Sequence, residues 1–265
     1  MGNCEKSVTR WVPGVVSATF RKMPLSADEI LEICRECGLQ AIEWSENAHV
    51  QAGDAEGARA LGEKTRAAGL RIAAYGSYYR LGEQEDVDGV FSRSLISAKA
   101  LGADVIRVWA GTKASEEVSE DERKRLTLEA RRIAEKAQAE GVRVAFEWHK
   151  NTLTDTNASA ERLIREADHP NLYCLWQPTV ALTPRERVEG IRRMQGKLVN
   201  FHVYSWPDGK RGPLNAAEWQ FYLDAAAGLG GEHFALLEFV RDDSLEQFRQ
   251  VAQVLVKLLD EILGV

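Results

Sequence analysis

The feature that most constrains this chain is a rhythm of alternating strand-like and helix-like segments. Strands are expected near 14–20, 39–44, 70–76, 104–110, 142–149, 171–177, 198–204 and 233–239. A helical stretch follows each, over 26–37, 55–68, 84–101, 119–140, 157–167, 184–195, 215–228 and 244–263. The junctions repeat too. Helical stretches run into Gly and then a strand at Gly38-Leu39, Gly69-Leu70, Gly102-Ala103, Gly141-Val142 and Gly196-Lys197, and Gly230-Gly231 does the same before the last strand. Gly closes a helix because it accepts the left-handed conformation at little cost. Helix starts carry capping signals at Ser26-x-x-Glu29, Ser119-x-x-Glu122 and Ser244-x-x-Gln247, with Pro184 behind Thr183 and a looser version at Asn215-x-x-Glu218. Eight such units in 265 residues predict an α/β fold, a closed (β/α)8 TIM barrel forming a single domain over 1–265, since such barrels take about 250 residues. A doubly wound open sheet would want a Gly-rich phosphate loop after its first strand, and Ser17-Ala-Thr-Phe-Arg21 is not one. No linker or composition break suggests a second domain.

Composition narrows the partners. The chain is 45% apolar and 28% charged, with a net charge of −6 and both signs interspersed. Nucleic-acid surfaces show a basic excess or stripe, so no nucleic-acid partner is expected. No apolar run approaches the roughly 20 residues of a membrane span, and no signal peptide is evident, so a cytoplasmic protein without a membrane partner is expected. Met1-Gly2-Asn3-Cys4 faintly suggests acylation, but Lys6 stands where that motif wants Ser or Thr. Of the four cysteines, Cys34 and Cys37 form a C-x-x-C in the last turn of a helix. Redox pairs use a helix N-terminus to lower the thiol pKa, so helix packing is the expected role here.

The strand ends carry the chemistry. Val142-Arg-Val-Ala-Phe-Glu-Trp-His149 reads as a buried strand, with Val144, Phe146 and Trp148 on one face and Ala145, Glu147 and His149 on the other. A buried carboxylate must meet a partner or do chemistry, because an unpaired buried charge is costly. Three later strands end in Gln177, His202 and Glu238, and the four are expected to converge on one divalent metal. The active end of a TIM barrel is the end where its strands finish. Glu43, Trp44 and His49 follow strand two there; Tyr75, Tyr78 and Tyr79 follow strand three; Arg107 and Trp109 belong to strand four. Five of the seven tryptophans lie at these ends. Alternation turns Trp44, Trp148 and Trp176 toward the helices, leaving Trp109 and Trp206 to wall a small-molecule pocket. Arg107 is expected to point inward and pair with Glu43. His202 is expected as a ligand, and His149 as a substrate hydrogen-bonder or a ligand orienter. Lys113, Lys210, Arg211 and Arg241 sit in loops after strands, placed to grip a phosphate or carboxylate, with solvated surface charge as the default. The dense run Glu116 to Arg125 reads as a solvated helix face, and His169 and His233 as junction residues.

The chain resembles the xylose isomerase-like barrel superfamily in its sugar-phosphate isomerase/epimerase branch, which also holds tagatose epimerases, inosose dehydratases and endonuclease IV. The residues that carry the resemblance are Ile42-Glu43-Trp44 with His49, Phe146-Glu-Trp-His149 followed by Thr152-Leu-Thr-Asp-Thr156, Trp176-Gln-Pro178, Phe201-His-Val203 and Leu237-Glu-Phe239. It implies one divalent ion (Mn, Mg, Co or Zn) held by Glu147, Gln177, His202 and Glu238. Gln177 stands where the family usually has Asp, and Val180 where many members have His. A Gln still offers a carbonyl oxygen, which suits a hard cation, but it removes one negative charge, so weaker metal binding is expected. Endonuclease IV fits poorly, because Trp109, Gln177 and Val180 occupy places where that enzyme has ligands.

The resemblance implies a sugar isomerase/epimerase that removes a proton next to a carbonyl through an enediolate, with Glu147 and Glu238 as the two catalytic bases. His49, Trp109, His149, Trp206 and Arg241 are the expected substrate-binding residues. An inosose-type dehydratase and a sugar-binding barrel without catalysis are the alternatives. The expected partner is a small sugar or sugar derivative, and the resemblance suggests a homodimer.

Overall fold

A computed structural model describes residues 9–263; the acylation motif at Met1–Cys4 lies outside them. The expected rhythm is present as a closed barrel of eight parallel strands in sequence order. The strands are β1 Thr9–Val16, β2 Ala41–Ser45, β3 Arg71–Arg80, β4 Val105–Trp109, β5 Arg143–Glu147, β6 Leu172–Trp176, β7 Leu198–Val203 and β8 Gly231–Leu237. The helices are α1 Ala27–Glu36, α2 Ala55–Ala67, α3 Val87–Leu101, α4 Glu120–Ala139, α5 Asn157–Ala167, α6 Pro184–Arg193, α7 Ala216–Ala226 and α8 Leu245–Leu263. None of these is long and apolar enough to cross a membrane.

Local chemistry sets these boundaries. Ser26 and Thr183 form full capping boxes with Glu29 and Glu186, and the Ser119, Asn215 and Ser244 side chains accept from the backbone N–H three residues on. Each satisfies a donor that the first helical turn leaves unpaired. Gly102 closes α3 in the left-handed region at φ 87°. Cys34 is buried in the core and burial raises its thiol pKa, as expected for a packing role.

The first and third strands depart from expectation. β1 begins at Thr9, and residues 17–20 form a 3-10 turn rather than a strand. The cause is closure: Thr9–Val15 pairs with Gly231–Leu237, whereas only Gly14–Val16 pairs with β2. Gly14 permits the tight approach, because a Cβ there would lie 2.6 Å from the Ala41 carbonyl oxygen and 2.7 Å from Leu236. β3 runs on to Arg80, so Tyr75, Tyr78 and Tyr79 lie within it rather than after it. A register irregularity between Gly76 and Arg80 carries this extension over β4. The run Glu116 to Arg125 also needs correction at one residue. Arg123 is buried, donating to Ser159 and Glu166 on α5.

The principal core lies between the sheet and its helices. Trp44, Trp148 and Trp176 are fully buried there, as alternation required. Trp44 donates to Thr65 on α2, and Trp176 packs edge-on against Trp219 and Tyr222 on α7. Inside the barrel the lower layers are smaller and apolar, with Val12, Val16, Ala41, Ala73 and Leu236 in one group and Ala74, Val105, Ala145, Leu175 and Val199 in another. Asn200 crosses this interior to donate to the Ala73 carbonyl at 3.1 Å.

Candidate metal and substrate site

One side-chain layer above that apolar filling, the interior becomes charged. Strand alternation brings Glu43, Arg107, Glu147 and His202 inward at the ends of β2, β4, β5 and β7, and Gln177 and Glu238 follow β6 and β8 directly. All six are buried. Glu147, His202 and Glu238 offer ligand atoms that lie within 4.8 Å of one another. His202 Nδ1 is 3.4 Å from Glu238 Oε2 and 3.9 Å from Glu147 Oε1. Its other nitrogen, Nε2, is 3.1 Å from Glu43 Oε2. A carboxylate at Nε2 holds a proton there, so it is Nδ1, facing the two glutamates, that a cation could take in place of its proton.

Arg107 links the two sides of the layer. Its Nε is 3.4 Å from Glu43 Oε1 and 3.3 Å from Glu147 Oε2, and its Nη1 donates to the Ser77 carbonyl. Gly76 makes room for this pairing, since a Cβ there would fall 2.6 Å from Glu43 Oε1 and 2.9 Å from Arg107 Nη2. The expected Glu43–Arg107 pair is therefore present, and Glu43 has a second role as the partner of His202.

The Gln177 amide has a fixed orientation. Its nitrogen donates to Glu147 Oε1 at 2.9 Å and to the Trp148 carbonyl at 2.7 Å. Both amide protons are thereby used, so the Oε1 end is the free acceptor. Gln177 Oε1, Glu147 Oε2 and His202 Nδ1 are all buried with no hydrogen bond of good geometry, Glu147 Oε2 having only its ion pair with Arg107 and His202 Nδ1 only the Glu238 and Glu147 carboxylates. Buried polar atoms are rarely left so. Three of them on neighbouring strand ends, beside the Glu238 carboxylate, fit a divalent cation with mixed nitrogen and oxygen donors.

The titration shifts express the same demand for positive charge. Burial opposes the charge on His202, but the Glu238 and Glu43 carboxylates outweigh it and hold its pKa up at about 10. Burial and the Glu238 charge raise Glu147 despite Arg107. Burial would raise Glu43 as well, but His202 and Arg107 bring it below the usual carboxylate value.

A cavity of about 270 Å³ opens on this layer. Trp109 forms one wall, with Tyr78 edge-on at 5.3 Å, His149 at 6.3 Å, and the guanidiniums of Arg80 and Arg107 at 4.1 and 4.4 Å from its ring. Trp206 and Phe239 form another, 5.9 Å apart. Phe239 directly follows Glu238 and holds φ at 59°, an uncommon conformation for a bulky residue. Such strain persists where the surroundings over-determine it, as at ligand sites.

The structure thus brings together Glu147, Gln177, His202, Glu238, Trp109, His149 and Trp206. His49 lies in an adjoining cleft of about 360 Å³ that shares Arg21 and Tyr78 with the main cavity. Its ring packs on Trp44, its Nδ1 is buried without a partner, and burial lowers its pKa. Arg241 is not brought to the cavity: its side chain is half-exposed and pairs with the adjacent Asp242. Lys113 pairs with Glu122 and Arg211 with Asp243. The cavity's other cations, Arg21, Arg80 and Lys150, were not foreseen. The aromatic run that carries β3 on to Arg80 was the available signal for one of them.

The sequence profile described as "xylose isomerase-like TIM barrel" matches residues 31–211. A curated relative, 3-dehydroshikimate dehydratase of Bacillus anthracis, is 30% identical over 163 residues, which cover 58% of this chain and 57% of the relative. The match thus spans little more than half of that protein. Among solved structures, the probable 3-DHS dehydratase of Bacillus anthracis superposes with a TM-score of 0.78 at 21% identity, covering 92% of this chain and 98% of its own. An L-ribulose 3-epimerase gives 0.69 at 14%, covering 96% and 95%. The IOLI protein, crystallised with a zinc atom, gives 0.73 at 15%, covering 94% and 98%. At these identities the structural likenesses speak for the fold.

Proposed function

This chain belongs to the family of xylose isomerase-like TIM barrels, and we propose from that premise that it is a divalent-metal-dependent isomerase or epimerase of a small sugar or sugar derivative. The observation that carries the reading is the buried cluster of Glu147, His202 and Glu238, whose ligand atoms lie within 4.8 Å of one another, with Gln177 Oε1 buried and unpartnered at the end of the neighbouring strand. An ion held by these four residues would supply Lewis-acid polarisation of a substrate carbonyl. The rest falls to the chain itself. Glu238 lines the cavity and takes a proton from the carbon next to the carbonyl. Glu147, the second carboxylate of the cluster, returns one. Arg107 and Gln177 fix the Glu147 carboxylate, and Glu43 fixes the His202 ring. Trp109, Trp206 and Phe239 wall the substrate on its apolar sides.

A second reading, a dehydratase on the same residues, is favoured by two observations. The curated relative is a dehydratase. His149 also stands on the cavity wall beside Glu147, where an imidazole can hand a proton to a departing hydroxyl. Product mass separates the two readings, because dehydration removes water and epimerisation leaves mass unchanged.

The direct test is the metal content of the purified protein alongside Glu238→Ala. One divalent ion per chain in the wild type, lost in the variant, is expected. The same variant should lower solvent-deuterium exchange into a bound carbonyl substrate by about 10²- to 10⁴-fold, the usual contribution of a general base. A wild type that retains no ion after incubation with Mn²⁺ overturns the metal reading and leaves a sugar-binding barrel.

A further inference from the structure

The chain as a whole is acidic, at −6, but its active cavity is not. Glu147 and Glu238 are the cavity's acids, and Arg21, Arg80, Arg107 and Lys150 its bases. Arg107 is committed to Glu43 and Glu147, and the two cavity acids belong to the proposed metal. That leaves Arg21, Arg80 and Lys150 facing the cavity with no acid of the cavity to neutralise them. Among the described residues, Arg21 and Lys150 have no acidic partner within ion-pair distance, and Arg80 has only Glu83 at 3.8 Å. Two of the three are held in place. The Arg80 guanidinium lies 4.1 Å from the Trp109 ring centroid and that of Arg21 lies 5.0 Å from Phe239. A guanidinium steadied on an aromatic face keeps its N–H edge free for a bidentate oxyanion.

We propose that the substrate carries a carboxylate or phosphate, held by Arg80, Arg21 and Lys150 while its carbonyl faces Glu147 and Glu238. This deepens the proposed function and rests on it. The glutamates and the three cations line the same cavity, so a molecule that fills it meets both. A free ketose offers those three cations only neutral acceptors, whereas a carboxylate or phosphate offers charge-assisted ones.

Calorimetric titration of the metal-loaded protein with D-fructose, D-fructose 6-phosphate and 3-dehydroshikimate tests this, on wild type and on Arg80→Met and Arg21→Met. At least one charged probe should bind about 10- to 100-fold tighter than fructose, the range of one or two charge-assisted hydrogen bonds. Each Met variant should remove most of that advantage. The preferred probe tells carboxylate from phosphate. Fructose binding as tightly as both anions, no anion binding at all, or an advantage that survives both substitutions would each overturn the proposal. Metal content of the same samples reports separately on the underlying reading, and a wild-type thermal midpoint in the variants shows that the fold is intact.

Discussion

Along five strands a step of two residues exchanges a packing side chain for a chemical one. Ala41 gives way to Glu43, Val105 to Arg107, Ala145 to Glu147, Leu175 to Gln177 and Leu236 to Glu238. Both layers occupy the same barrel and are equally hidden from water. The lower one is held by dispersion and apolar burial, whose loss costs stability in proportion to volume removed. The upper one gathers three carboxylates, a guanidinium and an imidazole, at a desolvation cost that pairing recovers only in part. The contrast divides labour: the lower layer keeps the cylinder shut, and the upper layer holds poorly satisfied groups because it stands on a rigid support.

The comparison breaks most readily at Leu236. Leu236→Ala should cost about 2–5 kcal/mol of unfolding free energy in a denaturant titration, while the folded fraction retains its ion. Loss of the ion at full stability would show that the layers are not separable. A smaller effect is expected one layer up. Glu43→Gln removes the charge that orients His202 Nε2, and should weaken metal affinity about 10- to 100-fold in a competition titration. An unchanged affinity would mean that His202 is aligned by packing alone. A third effect is in pH. His202 is raised from 6.5 to about 10 and Glu147 is also raised, so the native metal-free protein holds more protons than the unfolded chain. That stabilisation is fully present below about pH 6.5, the ordinary imidazole value, and fades as pH climbs toward 10. Thermal midpoints should fall over this range without metal and hold steadier with it, because the ion takes the proton's place at Nδ1.

The sequence exposed the two layers unequally. The β/α rhythm was legible because glycines or caps mark all but one of the helices with local chemistry, and because alternation sorts Trp44 from Glu43 with no tertiary information. The four candidate ligands were legible for the same reason: each ends a strand. The cationic wall was not. Arg80 reaches the cavity through an irregular register between β3 and β4. Arg21 reaches it because residues 17–20 turn instead of extending. Arg241 looked equivalent to them in sequence, yet a left-handed pair at Asp242 and Asp243 sends its loop elsewhere. Pairing with Gly231–Leu237 fixed the span of β1, and no window around Thr9 carries that information.

That last pairing has a consequence for how the protein comes into being. A chain made from its N-terminus leaves the synthesis machinery with its first strand able to pair only over Gly14–Val16. The other edge of that strand waits for Gly231–Leu237, the eighth strand of the barrel. Contacts so distant in sequence make for slow closure and a long-lived open edge. Glu238 arrives with that final strand, so the acidic pocket is not complete until the cylinder shuts. An ion held by Glu238 would therefore be acquired only after the cylinder shuts.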